Sequence, residues 1–190
     1  MAQTPDRTGP DDDAAAGAPA QAEQAVTADA ATEQPRADAA HVPAAHTRTA
    51  RTKARHRALD VLFEADAKGQ ASSGPDLLRV LADRRRRMVA QDGMTSFAID
   101  LVQGVADHLQ IIDEIIETNA RDWTLRRMPA VDRGLLRLGV LEIVFLDDIE
   151  DAVAIQQATL LARELSTDDS PRFVEGVLQE VARTKDVYRD

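Results

Sequence analysis

The chain of 190 residues contains no cysteine, only six aromatic residues and no long hydrophobic run. Without cysteine it has no disulfide framework, thiolate zinc site or cysteine nucleophile, and a reducing compartment is expected. The most apolar stretch, residues 138–146, is far shorter than the roughly 20 residues that a bilayer-spanning helix needs. The N-terminus lacks a cationic region followed by an apolar run, so the sequence predicts a soluble cytoplasmic protein with no membrane partner.

Charge is unevenly distributed along the chain, whose formal net charge is −10. Residues 1–47 hold 16 alanines, five prolines and eight acids but only two bases. Such a composition buries too little apolar surface to offset the entropy of ordering, which predicts a disordered acidic tail. Only three of the 23 basic residues are lysine, and arginine offers a planar fork of donors suited to phosphates and carboxylates.

From residue 50 onward apolar residues recur at helical spacing, and no segment shows the period of two that is typical of a strand. This pattern predicts an all-α domain of about seven helices over residues 48–185, followed by a short C-terminal tail at 186–190. The first helix is expected at about 50–68, and a break is expected near His108.

Capping residues mark several helix starts. Thr95 and Ser96 are candidate N-caps of the third helix, and Pro129 opens the most apolar helix, the fifth. Ser170 as N-cap with Pro171 at the first helical position predicts the start of the seventh helix.

Patterns that indicate catalysis or a metal site are missing. The glycines build no phosphate-binding loop, and the acid pairs Asp147-Asp148 and Asp168-Asp169 are typical of helix caps. The four histidines, at positions 41, 46, 56 and 108, do not have metal-ligand spacing. The sequence therefore predicts a protein that is not an enzyme and binds no cofactor or metal.

A basic cluster at residues 48–57 is the strongest chemical signal, with Arg51, Lys53 and Arg55 at its centre. Such a cluster suits a polyanion whose binding releases counterions, and the alternative is a solvated helix face. Residues 84–87, four consecutive arginines, are distributed around a helix, so solvation is the expected reading there.

Two further arginines, Arg133 and Arg137, lie four residues apart and should share one face of the fifth helix. Gly134 between them leaves room for a partner or a neighbouring helix. These arginines either face a ligand or pair with carboxylates, for which the candidates are Asp132, Glu142 and Glu180. Glu142 is alone in an apolar helix and is expected to be paired, since an unpaired buried charge is costly.

The few aromatic residues include two of interest. Phe173, in the first turn of the seventh helix, either anchors that helix to the core or offers a partly exposed ring on which an unpaired base could stack. Trp123 is expected to pack in the core or between subdomains.

Four segments together resemble the NusB family of transcription antitermination factors. They are ARTKARHRALDVLF at 50–63, VDRGLLRLGVLEI at 131–143, VAIQQA at 153–158 and SPRFVEGVL at 170–178. The resemblance implies an all-helical fold of two packed subdomains. It also implies binding of boxA-like single-stranded RNA in rRNA leader transcripts together with NusE, a small-subunit ribosomal protein. That complex joins NusA, NusG and RNA polymerase to support processive elongation.

The same resemblance implies roles for individual residues. RNA binding maps to Arg51, Lys53, Arg55, Arg133, Arg137, Asp169 and Phe173, and NusE binding maps to Asp132. Two segments depart from the family pattern: Gln156-Gln157-Ala158 replaces Asn-Glu-Ala, and Glu175 replaces asparagine in Phe-Val-Asn-Gly. Glu175 is expected to bring a negative charge close to the RNA-facing surface. The alternative function is a helical protein–protein adaptor with incidental RNA contact.

Overall fold

The computed structural model describes residues 44–88, 93–121 and 123–189, and this part of the chain is helical without strands. The predicted all-α fold is confirmed. The predicted tail lies outside the described residues, except that residues 44–47 form the start of the first helix and not part of a tail. The seven helices are α1 Ala44–Ala67, α2 Gly74–Met88, α3 Ser96–Asp107, α4 Leu109–Asn119, α5 Ala130–Val140, α6 Asp151–Leu165 and α7 Ser170–Thr184.

Local chemistry marks where α3 begins and where it ends. The Thr95 hydroxyl accepts a hydrogen bond from the Ala98 amide at 3.3 Å, as expected of an N-cap. His108 separates α3 from α4, which confirms the predicted break. Its ring stacks on Phe145 with 4.1 Å between ring centroids, so the break is held against the end of the fifth helical segment.

The fifth helix begins at Ala130, directly after Pro129 as predicted, and its regular part ends at Val140. The chain continues in a wider π-helical turn, Leu141–Phe145. A π turn inserts an extra residue into the helical repeat and is often found where side chains must be re-aimed. Here it includes Glu142, which is directed into the core.

The start of α7 differs from the prediction by one residue. Asp169, not Ser170, is the N-cap, and Pro171 lies in the first turn. The Ser170 hydroxyl instead donates a hydrogen bond to the buried Asp132 carboxylate at 2.8 Å. The hydroxyl that the local sequence assigned to capping is therefore bonded to a residue 38 positions earlier in the chain.

One continuous hydrophobic core runs through all seven helices of the described chain. Helices α1, α2 and α3 pack on one another, as do α5, α6 and α7, and α5 also packs against α1. At the α1–α5 contact a Cβ on Gly134 would come within 2.7 Å of the Leu59 side chain, which would have to shift to make room for it. The space beside Gly134 is thus filled by a neighbouring helix.

The C-terminal residues are more ordered than the predicted tail. Residues Lys185–Tyr188 form a 3-10 turn. The Tyr188 hydroxyl accepts a hydrogen bond from Asn119 at 3.1 Å, and Arg189 donates to the Val144 carbonyl at 3.0 Å. These bonds attach residues 186–189 to α4 and to the end of α5. No helix in the described part of the chain is both long and apolar enough to span a membrane.

Candidate nucleic-acid interface

The basic cluster on α1 divides into exposed and buried side chains. Arg51 and Lys53 are exposed. Arg51 lies 3.7 Å from the Asp148 carboxylate, and its guanidinium carbon is 5.2 Å from the centre of the Phe97 ring. Both contacts leave Arg51 largely in solvent, with 45 % of its side chain exposed. These two cations are placed as the sequence predicts for a polyanion contact.

Arg55, by contrast, lies in the core with only 4 % of its surface exposed. Its Nε donates to both carboxylate oxygens of Glu142, at 2.8 and 3.1 Å, and its Nη2 has no hydrogen-bond partner in the described chain. Burial raises the pKa of Glu142, and the positive charge of Arg55 opposes that rise. The expected pairing of Glu142 is confirmed, whereas the expected position of Arg55 on the surface is wrong, since Glu142 holds it inside.

Arg133 is likewise turned inward. Its Nε and Nη2 donate to Asp66 on α1, at 3.1 and 2.8 Å. Its Nη1 donates to the carbonyls of Leu125 and, at 3.2 Å, Met128. Only 16 % of the side chain is exposed. Arg133 therefore fixes α5 to α1 and to the segment before α5, which corrects its predicted place on an RNA-facing surface.

Arg137 is the third inward arginine, with 5 % of its side chain exposed. It forms a bidentate pair with Asp113 on α4, and both N–O distances are 2.8 Å. The paired-carboxylate alternative was right for Arg133 and Arg137, although the partners are Asp66 and Asp113 and not the carboxylates considered from sequence. The two guanidinium groups reach different helices, so they do not form a shared cationic face.

Asp132 is buried, with 2 % exposure, at the start of α5. Its two carboxylate oxygens accept hydrogen bonds from the hydroxyls of Ser166, at 2.6 Å, and Ser170, at 2.8 Å. It fixes the turn between α6 and α7. The predicted contact of Asp132 with a partner protein requires a position on the surface. In the structure Asp132 is buried instead.

Asp169 is exposed, whereas Phe173 is half-buried and packs against the core, so its ring both anchors α7 and stays partly accessible. Both residues lie beside an aromatic partner that the sequence reading missed. The rings of Trp123 and Phe173 are 5.7 Å apart and tilted by 47°. Trp123 is 42 % exposed, so its expected core position is wrong. The guanidinium carbon of Arg127 lies 5.7 Å from the centre of the Trp123 ring. We call Trp123, Phe173 and Arg127 the aromatic platform.

Two cavities share Asp169 and Phe173 in their walls. A cavity of about 290 Å³ also includes Trp123 and Pro129, and a cavity of about 750 Å³ also includes Arg121 and Arg172. The exposed Arg121 and Arg172 thus lie beside Phe173 in the larger cavity. Flat rings stack on unpaired bases, and guanidinium groups contact phosphates or stack in turn. The sequence feature that could have indicated an exposed Trp123 is its position in an arginine-rich segment between two helices.

The departures from the family pattern lie on α6 and α7. Gln156, Gln157 and Glu175 line one cavity of about 680 Å³ between α6 and α7, and Phe173 is not in its wall. Gln157 accepts a hydrogen bond from the Thr52 hydroxyl at 2.6 Å, which joins α6 to α1. The expectation that Glu175 lies close to the RNA-facing surface stays a prediction, since Glu175 and Phe173 line different cavities along α7.

No group of three or more histidine or carboxylate side chains in the described part of the chain is arranged to hold a metal ion. His56 lies 3.7 Å from Asp60, and His108 is stacked on Phe145. His41 and His46 fall outside the side chains that the structure describes.

Comparison with known proteins gives a consistent result. Residues 52–183 match the model of the NusB family. The transcription antitermination protein NusB of Beutenbergia cavernae is 49% identical over 144 residues, which covers 74% of this chain and 94% of that protein. NusB of Salinispora arenicola is 49% identical over 134 residues, covering 70% and 95%.

Solved structures agree with the sequence matches. The solution structure of NusB from Aquifex aeolicus has a TM-score of 0.58 at 26% identity, covering 74% of this chain and 93% of that one. A crystal structure of the antitermination factors NusB and NusE in complex with dsRNA matches with a TM-score of 0.57 at 28% identity, covering 72% and 98%. The family match spans well over half of the chain, and the chain therefore belongs to the NusB family of antitermination factors.

Proposed function

We propose that this protein binds boxA-like single-stranded RNA in rRNA leader transcripts, jointly with NusE. It would thereby support processive elongation by RNA polymerase together with NusA and NusG. The role is one of binding without catalysis, and it is exercised on nascent transcripts in the cytoplasm. The observation that carries the proposal is the aromatic platform, in which Trp123 and Arg127 are exposed and Phe173 is half-buried, with its surrounding arginines. The relative whose structure contains NusB, NusE and RNA supports the choice of partners.

Two surface regions have different roles in the proposed RNA binding. The exposed cations Arg51 and Lys53 attract the phosphate backbone, because neutralising phosphates releases counterions. The platform rings of Trp123 and Phe173 accept splayed bases, and Asp169 beside them offers a carboxylate to base amino groups. Arg55, Arg133 and Arg137 act from inside by fixing α1, α4 and α5 relative to one another.

Asp132 is proposed to act indirectly, as the buried arginines do. Its carboxylate holds the hydroxyls of Ser166 and Ser170 and so fixes the turn before α7. A contribution of Asp132 to NusE binding is proposed to act through the shape of this turn. Asp132→Ala is then expected to weaken NusE binding only together with a loss of stability of about 1–3 kcal/mol, the usual cost of leaving buried hydroxyls unpaired.

The adaptor function is the second candidate, and the burial of three predicted RNA-binding arginines favours it. Fluorescence anisotropy with a labelled boxA-like RNA and a scrambled RNA of the same composition, with and without NusE, separates the two. RNA binding by the platform predicts a preference for the boxA-like sequence that NusE strengthens. It also predicts a steep loss of affinity between about 50 and 200 mM salt. Equal affinities for the two RNAs with NusE present would establish the adaptor.

A further inference from the structure

The cavity of about 680 Å³ between α6 and α7 is an open groove, here called the α6–α7 groove. The two helices are joined by the short segment 166–169 and therefore run antiparallel. Ile155 and Leu160 of α6 give the groove an apolar wall, and Leu160 is 44 % exposed. Neither Trp123 nor Phe173 lines the groove, so it is a different surface from the aromatic platform.

The α6–α7 groove includes a polar group whose bonding capacity the folded chain does not use. Thr159 lies in its wall and is buried, and its hydroxyl has no hydrogen-bond partner in the described part of the chain. A threonine inside a helix can bond the carbonyl four residues earlier. Thr118 and Thr184 do so, with the carbonyls of Glu114 and Glu180 at 2.8 and 3.0 Å. The unpaired hydroxyl of Thr159 costs free energy that a ligand with a matching polar group would recover.

Glutamine side chains add further polar groups to the wall. Gln156 is exposed, and its amide makes no hydrogen bond in the described part of the chain. Gln157 is only 7 % exposed and accepts a hydrogen bond from Thr52, while its Nε2 has no partner among the described residues. Gln179 donates to Glu175 at 3.2 Å. A primary amide offers donors and an acceptor together, which matches the N–H and C=O groups of a polypeptide backbone.

The charges of the groove favour a polypeptide over RNA. Arg163 is exposed at the groove and pairs with no carboxylate of the described chain. RNA binding relies on several cations or on aromatic stacking. The described residues of this wall include one arginine, one carboxylate, Glu175, and no aromatic ring. A single free guanidinium beside an apolar wall suits the carboxylate of an aspartate or glutamate in a partner protein.

We propose that the α6–α7 groove binds an extended segment of a partner protein. An aliphatic side chain of the segment covers Leu160, an acidic side chain pairs with Arg163, and backbone groups bond to Gln156, Gln157 and Thr159. A helical segment already satisfies its backbone groups internally, whereas an extended one has them free for these side chains. This inference goes beyond the proposed RNA binding, because it assigns a protein ligand to a second surface.

The first test uses the full chain and a random library of 12-residue peptides displayed on phage. Peptides are selected on the parent and counter-selected on Leu160→Lys/Arg163→Glu. The enriched peptides should share an aliphatic and an acidic residue, and a synthetic consensus peptide is then titrated by fluorescence anisotropy. Arg163→Glu should weaken its binding by about tenfold or more and should favour a peptide in which lysine replaces the acid.

The second variant, Thr159→Val, separates binding from structure because it removes the hydroxyl and keeps the shape of the side chain. It should weaken peptide binding by about two- to tenfold, the usual effect of one hydrogen bond. Its urea midpoint should equal or exceed that of the parent, since the free chain loses no hydrogen bond. The matched control is Thr118→Val, which loses a bond within α4, outside the groove, and should keep the parental peptide affinity.

Several results would overturn the proposal. They are no enrichment over the counter-selecting variant, a consensus without an acid, and a Thr159→Val protein that binds the peptide as tightly as the parent. A dimer seen in sedimentation and abolished by Leu160→Lys would assign the groove to a second copy of the chain. A loss of affinity for boxA-like RNA in Arg163→Glu would assign it to RNA. Failure of the proposed function is a different result, namely equal affinities for boxA-like and scrambled RNA with NusE present.

Discussion

The inward arginines, Arg55, Arg133 and Arg137, differ from the arginines around the aromatic platform in what their guanidinium groups contact. Each inward arginine meets a carboxylate on another helix, with N–O distances of 2.8 Å. Arg121, Arg127 and Arg172 are exposed, and Arg127 faces a tryptophan ring. Arginines of the first kind hold the helices in place, and those of the second kind are available to a ligand. The family resemblance assigned RNA binding to the three inward arginines and to none of the three arginines around the platform.

The largest expected effect comes from breaking an inward pair. Arg55→Met leaves Glu142 buried and uncompensated, which should lower the free energy of unfolding by about 3–5 kcal/mol. Urea unfolding followed by circular dichroism measures this loss. The control is Arg55→Met/Glu142→Leu, which should recover most of it because both charges are gone. A single variant as stable as the parent would show that the pair contributes nothing.

A smaller effect, on binding instead of stability, is expected at the aromatic platform. Trp123→Ala and Phe173→Ala should each weaken RNA binding by about 1–3 kcal/mol, the usual range for a base-stacking ring. Leu160→Ala is the matched control, since Leu160 is a similarly exposed apolar residue, 44 % against 42 % for Trp123, in a different cavity. Anisotropy titrations that show equal losses in all three variants would contradict a role in stacking.

The pairing of Arg84 and Arg87 on α2 with Glu64 on α1 predicts a pH dependence of stability. The pKa of Glu64 is lowered to about 2 from 4.5, so its contribution to stability is present above about pH 4.5 and is lost as the pH falls towards 2. Glu64→Gln should therefore destabilise the protein at pH 7, by on the order of 1–2 kcal/mol. The difference from the parent should shrink towards pH 2. Urea midpoints across this range that keep a constant difference would contradict the assigned pKa.

The smallest effect is expected at Glu175. Because this carboxylate lines the cavity between α6 and α7 and not those beside Phe173, Glu175→Asn should change RNA affinity by less than about twofold at 0.15 M salt, where exposed charges are screened over about 8 Å. Anisotropy titrations with RNA measure this change in affinity. If Glu175→Asn raised the RNA affinity by as large a factor as Phe173→Ala lowers it, Glu175 would have to lie at the bound RNA.

The sequence predicted helices better than surfaces. Thr95, Pro129 and the break at His108 could be recognised because capping and chain-breaking are local. The burial of Arg133 and Arg137 could not, because a four-residue spacing indicates a shared helix face but not whether that face meets solvent. Their carboxylate partners lie 67 and 24 residues away in the chain. Local patterns contain no information about such pairs.

The wrong predictions at the candidate site also arose because local sequence patterns do not report tertiary contacts. Ser170 has the sequence of an N-cap, but tertiary contact with Asp132 recruits its hydroxyl, and Asp169 becomes the cap. The apolar neighbours Leu125 and Met128 favoured a position of Trp123 in the core or between subdomains. Its exposure depends on the orientation of the turn between α4 and α5, which only the folded chain defines.

The most direct test of the central claim measures the ratio of affinities for boxA-like and scrambled RNA in the presence of NusE, for the parent, Phe173→Leu and Arg55→Met/Glu142→Leu. If base preference resides at the aromatic platform, the ratio falls towards one in Phe173→Leu and stays at the parental value when the inward pair is replaced. A Phe173→Leu protein that keeps the parental ratio, or a loss of the ratio only on replacing the inward pair, would contradict the division between inward and surface arginines.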